Sequence, residues 1–194
     1  MKIIGLTGGI ACGKSTISNY LKDKGYVIVD ADLVAREVVE VSSQGLKELV
    51  ASFGDEILNE DKSLNRKKLG AIVFNDKKKL ELLNNILHPN IRKKILSYFD
   101  MHKQNGEDVI VFDCPLLFEG KYEAMCDETW LVSISYETQI KRLKLRDKID
   151  NIHASKIIDS QMSLTEKAKL ADIIIDNEKD VSNLYNAIDE LLLK

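Results

Sequence analysis

The run Gly8-Gly9-Ile10-Ala11-Cys12-Gly13-Lys14-Ser15-Thr16 constrains this chain more than any other stretch. An apolar run, Ile3-Ile4-Gly5-Leu6, precedes it, and a helical pattern carrying Ile17, Tyr20 and Leu21 on one face follows. Strand, glycine-rich loop and helix with the spacing G-x-x-x-x-G-K-[ST] describe a phosphate-binding P-loop. Gly8 and Gly13 permit the backbone dihedrals that turn successive N–H groups inward as an anion nest. The positive end of the helix dipole faces the same point. Lys14 can reach β- and γ-phosphates, and the Ser15 hydroxyl can ligate Mg²⁺. A random chain of this length carries the pattern about 1% of the time, and the strand-to-helix context lowers that further.

The rest of the chain fits a nucleotide-handling α/β domain. Its 194 residues, 44% hydrophobic, suffice for one domain with an ordinary core and an insertion. A net charge of −3 marks neither a nucleic-acid binder nor a membrane binder. No run is long enough to cross a bilayer, and the N-terminal segment is no signal peptide. Cys12, Cys114 and Cys126 form no C-x-x-C pair and cannot all be bridged, which points to a reducing cytoplasm.

Four further strands are expected, over Tyr26–Val29, Val109–Phe112, Thr129–Ile134 and Ala171–Ile175. Five strands with intervening helices give a doubly wound parallel sheet, and analogy with P-loop kinases gives the order 2-3-1-4-5. The second strand runs into Asp30-Ala31-Asp32, at the ligand-facing carboxyl edge of such a sheet. At least one of these aspartates is expected to serve the site, while helix N-capping is the competing use. About residues 33–105 the pattern is helical, too long for a simple crossover, and reads as an insertion holding a second substrate. Asn65 and Asp76 are expected to cap helices there, and His88-Pro89 to break or bend one. The basic clusters of this region read mainly as solvated faces.

The third strand ends at Asp113, in the manner of a Walker B carboxylate. The helix after strand four carries Arg142 and Arg146 on one face, and arginine suits charge neutralisation on a transferring phosphoryl group. The stretch of about 136–170 reads as a lid. The switch motif D-x-x-G, a guanine motif N-K-x-D and the L-S-G-G-Q signature are all missing, which leaves a small-molecule kinase.

Gly-Leu-Thr-Gly-Gly-Ile with Gly-Lys-Ser-Thr (5–16), Asp-Ala-Asp (30–32), Phe-Gly (53–54), Leu-Asn-Arg (64–66), His-Pro (88–89), Pro-Leu-Leu-Phe-Glu (115–119), Gln-x-x-Arg-Leu (139–143), Gln161 and Ala-Asp…Asn (171–177) follow the order of the dephospho-CoA kinase family, which the chain resembles over its whole length. The resemblance implies ATP-dependent phosphorylation of the ribose 3′-hydroxyl of dephospho-CoA, the last step of coenzyme A synthesis. It implies an aspartate as the proposed base, matched here by Asp32. It implies that Gly9, Ala11, Cys12, Gly13, Lys14, Ser15 and Thr16 hold ATP and Mg²⁺, with Arg142 near the phosphates and Asn177 near adenine. His88, Leu116, Leu117 and Glu119 would line the acceptor site, in an enzyme expected to be monomeric. On the residues alone, another small-molecule kinase (a nucleoside monophosphate kinase, for example) and a nucleotide-binding regulatory module with little turnover stay open.

The chain departs from the family pattern at three places. Ala11-Cys12 stands where Gly-Ser is usual, so Ala11 must accept a glycine-like dihedral. Lys62 replaces a turn glycine, and Lys156 stands at a lid position where arginine is expected. Cys12, beside Lys14 and a helix N-terminus, is expected to have a lowered pKa and to react when ATP is not bound.

Overall fold

The computed structural model describes residues 1–178 and 181–193. Five strands form one sheet: β1 (Lys2–Gly8), β2 (Val27–Asp30), β3 (Val109–Asp113), β4 (Glu128–Ser133) and β5 (Ile173–Asp176). Their order is β2-β3-β1-β4-β5, as expected from the P-loop kinase analogy. β1 pairs in parallel with β3 on one side and β4 on the other, and β4 pairs in parallel with β5. The register sets Leu6 opposite both Asp113 and Trp130, so the carboxyl ends of the central strands share one edge.

Two compact units divide the chain: Met1–Val29 with Asn105–Lys194, and Asp30–Gln104. In the first, helices α1 (Lys14–Asp23), α6 (Tyr136–Asp147), α7 (Asn151–Asp159), α8 (Leu164–Ala168) and α9 (Val181–Leu192) accompany the sheet. The core joins Ile4, Leu6, Val111, Trp130, Val132 and Ile175 of the strands to Ile17 and Leu21 of α1 and to Leu184 and Ile188 of α9. Near-continuous apolar strands are what a parallel sheet covered on both faces requires. Tyr20 of α1 stacks on Tyr185 of α9 at 3.9 Å between ring centroids, and its hydroxyl donates to Asp189 at 2.9 Å. Leu143, Ala154 and Ile158 form a smaller core between α6 and α7, with Ala11 packed against it.

The second unit is helical: α2 (Ala31–Glu37), α3 (Gln44–Phe53), α4 (Arg66–Val73) and α5 (Lys77–Gln104), with α2, α3 and α4 each packed on α5. Its caps follow side-chain chemistry. Ser43 Oγ accepts from Leu46 N, Asn65 Oδ1 from Lys68 N, and Asp76 Oδ1 from Lys78 N. Asn65 and Asp76 therefore cap as expected.

Of the break or bend expected at His88-Pro89, the break does not occur: α5 runs unbroken for 28 residues through Pro89. Proline removes the one N–H that Asn85 would have received, and the packing of three helices along α5 outweighs that local loss. The stretch after α6 is helical, as α7 and α8 separated at 160–163, where Ser163 begins α8 in a reciprocal capping box with Glu166. Lys62 takes a left-handed dihedral (φ 66°), the region that favours glycine, in the turn before α4.

Candidate active site

The phosphate loop leaves β1 at Gly8 and enters α1 at Lys14. Ala11 sits at φ 61°, the left-handed region that its family position required. Gly13 has φ 88°, and a Cβ there would collide with Asn177 Nδ2, so glycine is needed for both conformation and space. The loop is tied from outside. Ile10 N donates to Gln161 Oε1 and Ile10 O accepts from Gln139 Nε2, each at 3.0 Å. Asn177 Nδ2 donates to Cys12 O at 2.8 Å. The strained alanine thus lies between two peptides that three side chains hold fixed, the over-determination that such a dihedral needs.

Lys14 Nζ forms an ion pair with Asp113 Oδ1, and Ser18 Oγ donates to Asp113 Oδ2. Asp113 is 5% exposed, so this carboxylate at the end of β3 is matched by a cation and a hydroxyl, as burial demands. Nucleotide phosphates would compete with Asp113 for Lys14. Ser15 and Thr16 follow in the first turn of α1, where Ser15 is exposed and Thr16 N donates to Gly13 O at 3.0 Å. Among the described residues no group of three or more His, Cys, Asp or Glu is placed to hold a metal. That donor set still suits Mg²⁺, which takes few protein oxygens and completes its octahedron with phosphates and water.

Arg142 and Arg146 part company. Arg142 Nη2 donates to Asn177 O at 2.9 Å and reaches the edge of the loop near Gly13. Arg146 instead pairs with Asp147, Nε to Oδ1 at 2.7 Å, in a solvated arrangement. Asn177 is 6% exposed and its amide is spent on the loop carbonyl of Cys12. Its structural work is to hold the phosphate loop. Glu178, next to it, accepts from Ser135 N at 2.8 Å and from the Thr138 hydroxyl, which fixes this corner to the start of α6.

Cys12 overturns its expected reactivity. The thiol is fully buried and belongs to the sheet core, and burial pushes its pKa up to about 11 despite Arg142 and Lys167 nearby. Adjacency to Lys14 in sequence does not decide the direction of a side chain. The loop's geometry turns Cys12 inward while Ser15 faces water.

After β3, Leu116 is 49% exposed, whereas Leu117 is fully buried with its Cδ2 3.0 Å from a Cβ placed on Gly5. A side-chain contact to a ligand is therefore closed to Leu117. The Glu119 carboxylate accepts from Lys167 Nζ at 3.0 Å and from Met162 N at 3.3 Å. Lys167, a fully buried cation, escaped sequence reading; its one signal was a lysine three residues after Leu164, on the same helix face. A cavity of about 600 Å³ in this unit borders Gln139, Gln161, Asp159 and Glu166. Its two carboxylates disfavour phosphate, so the nucleotide side is marked by the loop's N–H groups instead.

In the helical unit, Asp30 takes the capping role: its Oδ1 accepts from Asp32 N at 2.8 Å and from Leu33 N at 3.0 Å. Asp32 is thereby placed in the first turn of α2 with the other aspartate committed to the backbone. His88 is exposed on α5.

Residues 2–183 match the family model described as dephospho-CoA kinase. A dephospho-CoA kinase of Listeria monocytogenes serotype 4b is 47% identical over 187 residues, covering 96% of this chain and 94% of the relative. One from Shouchella clausii is 42% identical over 191 residues, covering 98% and 97%. Among solved structures, dephospho-CoA kinase from Campylobacter jejuni superposes with a TM-score of 0.77 at 31% identity, covering 100% of this chain and 96% of that one. Shikimate kinase from Bacteroides thetaiotaomicron, at 15% identity and a TM-score of 0.51, shares the fold alone. With a family model covering nearly its whole length and relatives this similar, the chain belongs to the dephospho-CoA kinase family.

Proposed function

We propose that this chain transfers the γ-phosphoryl group of ATP to the ribose 3′-hydroxyl of dephospho-CoA, giving coenzyme A and ADP. The observation that carries this reading is a complete phosphate loop within a family match over residues 2–183. Phosphoryl transfer asks the protein mainly for positioning and charge neutralisation. The N–H groups of Gly9, Ala11, Cys12 and Gly13 and the Lys14 ammonium are assigned to the β- and γ-phosphates. Ser15 is assigned to Mg²⁺, which neutralises charge on the phosphate oxygens when bound. Arg142 stands beside the loop as the further cation, and Asn177 supports the loop from below.

Asp32 is assigned to the acceptor. Its carboxylate orients the 3′-hydroxyl and takes its proton as the new O–P bond forms and ADP leaves. By match to the family motifs, about 33–105 with His88 is assigned to acceptor binding, as separately are Leu116 and Glu119, and about 136–170 is assigned to a lid. A cytoplasmic monomer without nucleic-acid or membrane binding fits three free cysteines and the modest net charge of −3. Among the described residues no helix is long and apolar enough to cross a membrane.

ADP release in a coupled assay tests the reading. Turnover is expected with dephospho-CoA and not with AMP, CMP or shikimate. Turnover with AMP or CMP instead would make the chain a nucleoside monophosphate kinase. No acceptor-dependent release of ADP would make it a nucleotide-binding module.

A further inference from the structure

We propose that residues 161–167 form a strap coupling the phosphate loop to the segment after β3, with Lys167 as its positioning residue. The proposal rests on the kinase reading above, in which that segment meets the acceptor. One end of the strap is Gln161, whose Oε1 accepts from Ile10 N at 3.0 Å. Leu164 follows, its Cδ2 3.3 Å from a Cβ placed on Gly9. At the other end, Lys167 Nζ donates to Pro115 O at 2.8 Å and pairs with Glu119 Oε1 at 3.0 Å. The same Glu119 oxygen accepts from Met162 N at 3.3 Å, and Pro115 O also accepts from Thr7 Oγ1 at 3.1 Å. Seven residues therefore touch the peptide of Ile10 and both ends of the 115–119 segment.

Stability alone does not explain a charge at this place. Lys167 has 0% exposure, and lysine is almost never so buried unless paired. An apolar residue of similar volume would serve a merely structural position as well or better, since desolvating an ion pair offsets much of its attraction. What the ion pair adds is direction: the ammonium fixes where Glu119 and the Pro115 carbonyl lie relative to α8. α8 is only five residues long, too short to hold itself, so its placement depends on these contacts and on the Ser163–Glu166 capping box. A shift of the Ile10 peptide as phosphates settle into the loop therefore moves Gln161, α8 and, through Lys167, Glu119. Coupling of this kind is reciprocal between the two ligands.

Calorimetric titration of dephospho-CoA, with and without a non-hydrolysable ATP analogue, tests this on wild type, Lys167→Met and Glu119→Gln. Wild type is expected to bind dephospho-CoA about 10-fold more tightly with the analogue present, and either variant less than about twofold more tightly. The analogue's own affinity in the absence of acceptor stays within about twofold, and the double variant is no worse than the worse single one. Glu119→Gln, nearer the surface, keeps the test open if Lys167→Met fails to fold. Equal coupling in wild type and both variants overturns the strap, as does parallel loss of both affinities. Wild type that releases no ADP in response to dephospho-CoA overturns the kinase reading, whereas normal turnover with unaltered coupling in the variants overturns the strap alone.

Discussion

Ala11 holds a left-handed dihedral that costs an ordinary L-residue about 1–2 kcal/mol. Glycine would relieve that strain but lose a packed methyl and gain freedom in the unfolded chain, so Ala11→Gly should change stability by less than about 0.5 kcal/mol. Ala11→Val is a different case, since a β-branched residue is a severe outlier there. It should cost about 2 kcal/mol or more in urea unfolding and raise KM for ATP. Cys12 carries a second prediction. With its thiol buried and its pKa pushed up to about 11, iodoacetamide at neutral pH should leave it unmodified with or without Mg·ATP, as read by mass spectrometry. Rapid labelling prevented by ATP would restore the reactive-thiol expectation. For Asp32→Asn, kcat should fall far more than ATP affinity, because the amide keeps the shape but takes up no proton. The special dihedral of Ala11 was legible because the family resemblance sets it where glycine is usual. The burial of Cys12 was not, because packing beneath the loop decides it.

Elements show the same division. α3 begins at Ser43, whose hydroxyl accepts from Leu46 N at 3.2 Å and donates to Val38 O at 2.8 Å, so one side chain satisfies both sides of the α2–α3 turn. Ser43→Ala should lower stability by about 1–2 kcal/mol in a urea titration, while Ser43→Thr should recover most of it. Helix starts were legible at Asn65 and Asp76 because capping is a local hydrogen bond. The continuation of α5 through Pro89 was not. Proline's local cost is constant, but α2, α3 and α4 packed along α5 supply contacts between residues far apart in sequence. The break at 160–163 has the opposite origin: Ser163 is a strong N-cap, and Gln161 is drawn out of helix to meet Ile10.

For the whole molecule, buried thiols set an alkaline limit. Cys12 is pushed from 9.0 to about 11 and Cys126 from 9.0 to about 12, both by burial. Unfolded thiols lose their protons near pH 9 while the native ones keep theirs, so stability is fully present below pH 9 and falls as pH rises from there toward 11. Trp130, the single tryptophan and fully buried, reports this through its fluorescence. The urea midpoint should decline between pH 9 and 11, less steeply in Cys12→Ala. An equal slope in that variant would remove Cys12 from the effect.

By itself the sequence determined the phosphate loop, the parallel strands and the helix caps at Asn65 and Asp76, because motif spacing, apolar runs and caps are short-range properties of the chain. Analogy with P-loop kinases supplied the strand order, and family motifs the identity of the acceptor. Only the tertiary structure decided how each pair of like residues divides its roles. Asp30 caps so that Asp32 need not, Arg142 meets the loop while Arg146 meets Asp147, and Leu116 is exposed beside a buried Leu117. It also decided that Gln139, Gln161 and Asn177 brace the loop and that Lys167 is buried against Glu119. The three braces reach across 129 to 165 positions of the chain, and no local pattern encodes a partner that only folding brings near.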